Sequence, residues 1–290
     1  MANTLAPFGF RQWSGTGSAP TYEQTPAFIA YNNSTPIFFG DPVMQATGTT
    51  GAGTGYIQQA IAPQSLTVSG IVVTAGVAVA TFSTTTAPPV GSILVLTGTS
   101  FATGGGLNGS FVITASTTTT ATFQVTGAYS STLTGPATAI VYAPVAGIFV
   151  GCQYLSVSQK RTVWSNYWPG NSDVASGNTA TDYVINDPNA QFQVQSANGG
   201  PVTFASIGSN IGFGVGSPNG NTSNGISTYY ADYATLGTSA VLPFRIVNLS
   251  GYAPVGVSPF SGQNGYDTTT AYNYLIVAFN NAATKSLATI

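Results

Sequence analysis

The chain has no histidine, one cysteine and very few charges. Five Lys and Arg and seven Asp and Glu make up 4% of its 290 residues, and the net charge is −2. A soluble domain ordinarily carries about a quarter of its residues as these four types. Each absence removes a class of function. Without histidine there is no Ser-His-Asp triad, no imidazole base and no His-ligated metal. A single cysteine, Cys152, allows neither an intrachain disulfide nor a Cys-based zinc site. The negative balance gives no electrostatic footprint for nucleic acid, and no basic run suits an acidic membrane surface. The longer apolar stretches, such as 70–82, are broken by Thr and Gly and fall short of the ~20 residues of a membrane helix. The N-terminus lacks the basic segment of a signal peptide, and Pro7 interrupts its apolar stretch. The expectation is a protein made in the cytoplasm and built there into an assembly, with no contact to nucleic acid or membrane.

The remaining ionisable groups suggest no chemistry. Glu23, Asp41, Asp173, Asp182, Asp187, Asp232 and Asp267 are scattered singly, whereas a glycosidase needs two carboxylates converging on one bond. Asp187-Pro188-Asn189 reads as a turn with a preset φ and an Asx cap, not as a calcium loop. Gly104-Gly105-Gly106 lacks the following Lys and helix of a phosphate loop. Cys152, within Ile148-Phe149-Val150-Gly151-Cys152, reads as a small buried hydrophobe. No catalytic, cofactor-binding or metal-binding residue is assigned, no cofactor is expected, and the protein is not expected to be an enzyme.

What is present points to β structure. Hydrophobic residues reach 43%, so the chain can build a core. Thr, Val, Ile, Tyr and Phe dominate, while Glu, Lys and Arg, which support helices, are scarce. Only Tyr229–Leu236 invites a turn or two of helix. From Leu66 to Tyr142 no residue is charged. Six strands are expected there: 66–74, 77–83, 92–97, 110–115, 121–126 and 137–142. Ala75-Gly76 is a tight turn, Pro88-Pro89-Val90-Gly91 and Gly104–Gly106 are breaks, and Phe111/Ile113 and Phe123/Val125 mark inward faces. So many short strands in so few residues fit a small β-sandwich. Further strands are expected at 27–31, 37–39, 146–155, 191–195, 243–248 and 273–279. Asn198-Gly199-Gly200, Asn219-Gly220 and Asn264-Gly265 are the turn signals among them.

The flanks hold every charge and most large aromatics. Residues 1–21 read as an arm whose Phe8, Phe10 and Trp13, beside Arg11, are too apolar to float free. They dock either on their own domain or on a neighbouring subunit. Lys160-Arg161 is followed by Trp164, Tyr167 and Trp168. That cluster could stack on single-stranded nucleic acid. Trp, Tyr and Arg are also enriched at protein interfaces, and in a chain this poor in positive charge the interface reading is the simpler. The candidate interface is therefore Phe8, Phe10, Arg11, Trp13, Lys160, Arg161, Trp164, Tyr167 and Trp168.

Several short motifs, in order, resemble one family. Met1-Ala2-Asn3 and Ala6-Pro7-Phe8-Gly9-Phe10-Arg11 are similar to the start of the capsid cement or decoration proteins of tailed bacteriophages. Gly40-Asp41-Pro42-Val43, Asn186-Asp187-Pro188-Asn189 leading into Phe192–Gln195, and the closing Tyr274–Asn281 follow in the same order. In that pattern Tyr56-Ile57-Gln58-Gln59-Ala60 runs directly on to the strand seen here as Ala146-Gly147-Ile148-Phe149-Val150-Gly151. The residues between look like an insertion, and Leu107–Thr114 resembles the immunoglobulin-like domains spliced into virion proteins. The chain departs from the family in its scarcity of charge and in carrying this insert. The resemblance implies an all-β protein, a β-barrel or jelly-roll-like main domain (22–64 and 144–290, after the arm 1–21) with an inserted immunoglobulin-like β-sandwich (65–143). It implies a structural virion protein on the outer face of the capsid that bridges subunits of the major capsid protein as a cyclic homo-oligomer, dimer or trimer. The rival reading is a tail or fibre receptor-binding adhesin, though the repeats expected of a fibre are missing.

Overall fold

A computed structural model describes residues 3–14, 23–47, 53–82, 87–101, 105–127, 129, 137–250 and 267–283. The protein is all-β. Its described strands are joined by loops and two single 3-10 turns at Asn171–Asp173 and Phe204–Ser206. Contacts divide it into two compact units, one from Met1–Met44, Tyr56–Ala60 and Val145–Ala288, the other from Gln45–Gly55 and Ile61–Pro144.

The first unit holds two sheets. In one, β2 (Thr25–Ile29), β13 (Ala180–Ile185), β11 (Gly147–Ser156), β3 (Pro42–Thr47) and β4 (Gly53–Gln59) follow in that order, and β12 (Arg161–Ser165) pairs with the far end of β11. In the other, β1 (Arg11–Ser14) pairs with β14 (Gln191–Ala197), which pairs with β16 (Ile226–Gly237). Then come β15 (Asn210–Asn221), β17 (Phe244–Ser250) and β18 (Tyr274–Phe279). Because β18 also pairs with β14, those five strands close on themselves, with β1 added at the rim. The interior is aromatic. Phe10 stacks on Phe244 at 4.4 Å, Phe244 on Phe279 at 5.7 Å, and Phe192 meets Phe279 edge-on at 5.1 Å. Burying each such ring contributes about 1.5–3 kcal/mol. The first sheet has its own core, which includes Ile29, Ile37, Phe149, Tyr154, Trp168 and Val184.

The second unit is built on a closed ring of six strands and also takes in the adjoining ends of β3 and β4. β10 (Ala137–Tyr142), β5 (Gln64–Thr74), β6 (Val77–Phe82), β9 (Thr120–Gln124), β8 (Gly109–Ser116) and β7 (Ile93–Thr97) each have two neighbours, and β7 pairs back to β10. Period-two alternation explains it. In β6, Ala78, Ala80 and Phe82 face in while Val77, Val79 and Thr81 are partly exposed. Leu94, Leu96, Ile113, Phe123, Ala139 and Val141 complete the filling. Ala75 and Gly76 turn the β5–β6 hairpin with φ of 50° and 81°, as an Ala-Gly pair in a primed turn must. Among the described residues expected to form an immunoglobulin-like sandwich, the six strands thus close into a ring in which each has a partner on both edges.

Three local expectations are corrected. Tyr229–Leu236 is strand, not helix. Ser227, Tyr229 and Ala231 are buried at alternate positions, and β15 and β14 hold the strand from both edges. Asn219-Gly220 is inside β15 rather than at a turn. The hairpin turns one Asn-Gly later, where Gly225 has φ 70° and its N–H donates to the Asn221 carbonyl. Gly220 serves close approach instead, since a Cβ there would sit 2.2 Å from the Phe38 ring. Residues 37–39 make isolated bridges, Ile37 to Trp168 and Phe39 to Ile226, rather than a strand. The Asn264-Gly265 turn, Gly104, the opening Met1-Ala2 and the arm beyond Ser14 lie outside the described residues.

Candidate functional site

The residues singled out from the sequence separate by burial. Phe10 is enclosed in its own chain against Phe244. Its amide donates to the Gly40 carbonyl at 2.9 Å, and the Gly9 amide donates to the Tyr229 carbonyl at 3.1 Å. Gly9, at φ 76°, sits so close to Ser227 and Gly40 that any Cβ would lie 2.6–2.8 Å from them. Phe8 is half-buried, stacked on Tyr274 at 5.9 Å. The Arg11 guanidinium lies 5.2 Å from the Phe8 ring and 5.8 Å from that of Phe39, a cation–π arrangement. Trp13, two residues on, is 53% exposed.

The second cluster divides in the same way. Trp168 is fully buried, its Nε1 donating to the Asn33 carbonyl at 3.0 Å and its ring meeting Tyr154 edge-on. Tyr167 stacks almost parallel on Phe38 at 5.6 Å. Lys160 occupies the β11–β12 turn at φ 52°, and the exposed Arg161 guanidinium donates to Gln159 Oε1 at 3.0 and 3.2 Å. Trp164 is 54% exposed beside Tyr183. Phe10 and Trp168 therefore have no surface left for a partner, because both are buried in the first unit. Trp13 and Trp164 do. The two clusters meet at one segment: Arg11 covers Phe39, Tyr167 covers Phe38 and Trp168 bridges Ile37.

The same segment holds a buried acid. Asp41 Oδ2 accepts the Phe38 amide at 2.9 Å and Gln59 Nε2 at 2.6 Å. The Ser227 hydroxyl favours its charged form from alongside, yet Oδ1 completes no hydrogen bond. Burial outweighs these contacts and raises the carboxyl to about 7. The Tyr229 hydroxyl, close by, donates to the Ala60 carbonyl at 2.8 Å and is pushed up by burial and by Asp41. A second acid, Asp182 on β13, is fully buried with neither oxygen hydrogen-bonded. Burial raises it to about 7; its own amide favours the charged form without closing a bond. Cys152, across the pair, is buried too and its thiol is pushed up by burial first and Asp182 second. A buried thiol of this kind is inert. Sequence reading passed over both acids, although Asp182 alternates with Ala180 and Val184, so period two places it inward.

Among the described residues no group of three or more His, Cys, Asp or Glu side chains could hold a metal. Asp187 Oδ1 caps its own turn by accepting the Asn189 amide at 2.9 Å. An open cleft of about 450 Å³ is lined by Ile207, Val247, Phe279 and Asn280, with Arg245 its one ionisable side chain. The arrangement offers surface for binding: exposed indoles on rigid strands, with little charge around them. No helix among the described residues is long and apolar enough to cross a membrane. No family model, curated protein or solved structure matches the chain.

Proposed function

We propose that the chain is a structural virion protein that decorates the outer surface of a bacteriophage capsid and stabilises it by bridging major capsid subunits. The observation that carries this reading is strand β1. It lies at the end of its strand order, Phe10 anchors it in the core, and Trp13 stands exposed upon it. Trp13 is thus an exposed indole beside a residue anchored in the core, and exposed Trp side chains are typical interface anchors. The surrounding surface of Thr, Ser, Asn, Gln and Gly costs less to desolvate than a charged one. A protein that binds only the assembled lattice stabilises that lattice by mass action. The motif order from Ala6-Pro7-Phe8-Gly9-Phe10-Arg11 to Tyr274–Asn281 supports the same role.

Adding purified protein to capsids that lack it tests the reading. Binding should change little between about 0.1 M and 1 M salt, although the Debye length shortens from about 10 Å to about 3 Å. The shell should then open at a higher temperature. Density on the shell exterior in a cryo-EM map is the expected result, and density confined to the tail would favour the adhesin. Steep loss of binding with salt would refute a neutral interface.

A further inference from the structure

The outer face of the first sheet has a feature that capsid attachment does not use. Trp164 on β12, Gln153 on β11, Thr181 on β13 and Phe28 on β2 are successive register partners. They form one row across four strands, and partners in register point to the same side of a sheet. Their neighbours Cys152, Asp182 and Ala27 point to the other side, into the core. Trp164 is 54% and Phe28 51% exposed at the two ends of the row, while Gln153 is exposed and Thr181 half-buried between them.

The indole is held in place. β11 bulges between Phe149 and Gly151, and Gly151 has φ 151°. A Cβ on Gly151 would lie 2.8 Å from Trp164 Cζ2. The ring therefore lies over bare backbone, and Tyr183 packs against it at 5.0 Å with the planes inclined at 46°. It keeps an open side towards solvent. Leu155 adds an apolar side chain two residues along from Gln153. None of these side chains is charged; the charges at this end of β11 are Asp173, bonded to Ser156 and Ser158, and the Lys160-Arg161 turn.

We propose that this face binds a neutral oligosaccharide, its sugar rings lying on Trp164 and Phe28 and its hydroxyls bonded to Gln153 and Thr181. The C–H face of a pyranose is apolar and slightly positive, which matches the negative face of an aromatic ring. The Gln amide offers donors and an acceptor, and the Thr hydroxyl offers both. The absence of charge suits a ligand that has none. Size separates this from a protein interface. Four strands about 4.8 Å apart and roughly five residues at about 3.3 Å each give on the order of 240 Å², against about 800 Å² per partner in a stable complex. A pre-held ring also saves the ordering cost of binding.

The test uses the full chain and short neutral oligomers of β-1,4-linked glucose, α-1,4-linked glucose and β-1,4-linked N-acetylglucosamine. Titration calorimetry and tryptophan fluorescence are the readouts. At least one oligomer should bind at millimolar concentration or below and shift the fluorescence. Trp164→Ala should weaken that binding about tenfold or more and Phe28→Ala less. Val72→Ala, an exposed residue of the six-stranded ring, should leave it unchanged. If no oligomer binds at millimolar concentration, or if Trp164→Ala binds as well as the native chain, the proposal fails. Loss of capsid attachment in Trp164→Ala, with no sugar bound by the native chain, would make the face a protein contact instead. Trp13→Ala tests the capsid reading separately, so one can fail while the other stands.

Discussion

Cys152 and Asp182 face each other across β11 and β13, and neither side chain has any exposed surface. A thiol is a weak hydrogen-bond donor, and here it is directed to the Tyr167 carbonyl at 3.5 Å. The carboxyl is left without a partner, so it is tolerated in the core mainly as the neutral acid.

Stability should therefore fall as the solution becomes more alkaline. Asp41 and Asp182 are both raised by burial to about 7, whereas an unfolded Asp titrates near 3.9. Between those values the folded protein keeps protons that the unfolded chain has released. The stabilisation is complete below the unfolded value and is lost as pH rises through about 7. The Tm at pH 5 is expected to exceed that at pH 8 by several degrees. Asp182→Asn should raise the Tm at pH 8 and flatten the slope. A Tm that climbs from pH 5 to pH 8 would contradict this account. Asp267 acts in the opposite sense. Burial raises it, but hydrogen bonds from Thr270, Thr269 and Asn3 outweigh burial and hold it low, so its contribution is lost only as pH falls through that low value.

Phe10 and Trp13 should have separable effects. Phe10→Ala empties a core position and is expected to cost about 3–5 kcal/mol, measured by urea denaturation. Trp13→Ala should change stability by no more than about 0.5 kcal/mol yet weaken attachment to capsids tenfold or more. Equal effects on stability would remove the distinction between anchor and contact.

Gly220→Ala should destabilise through one contact. The added methyl would lie 2.2 Å from the Phe38 ring, and overpacking of this kind costs about 1–3 kcal/mol. Gly70→Ala is the control, because a Cβ there meets nothing within 4 Å. Thermal melts of the two variants should differ by several degrees, and matching melts would mean that Phe38 moves aside freely.

Residues 61–144, produced alone, should give a β-type circular dichroism spectrum and melt cooperatively. Their six strands share one hydrogen-bonded ring and one core, so the unit has what a small domain needs. A non-cooperative melt would show that the rest of the chain is required.

The strands between 64 and 142 were legible because their alternation is uninterrupted and Gly or Pro marks the gaps. Expected bounds of 137–142 coincide with β10, and the other five fall within two residues. β15 and β16 were not legible. Asn219-Gly220 read as a turn and Tyr229–Leu236 as a turn or two of helix, but at Gly220, as at Gly214, the missing side chain makes room for a ring, that of Phe38 and that of Tyr230. That requirement depends on partners distant in sequence. The aromatic candidates were found but not sorted, because composition does not separate an anchoring Trp168 from an exposed Trp164. The row from Trp164 to Phe28 was invisible, since it runs across strands, perpendicular to the chain. Only registry brings Phe28 and Thr181 alongside Trp164.

The closed ring of the second unit also bears on crowding. Copies held side by side in any repeating array experience a very high effective concentration of one another. Open sheet edges at such concentrations recruit one another and nucleate aggregates, and charged edge residues are a common safeguard. This unit has no charge from Leu66 to Tyr142 with which to provide that safeguard. Joining β7 to β10 removes the need for it within the ring, because each of the ring's six described strands already has a partner on both edges.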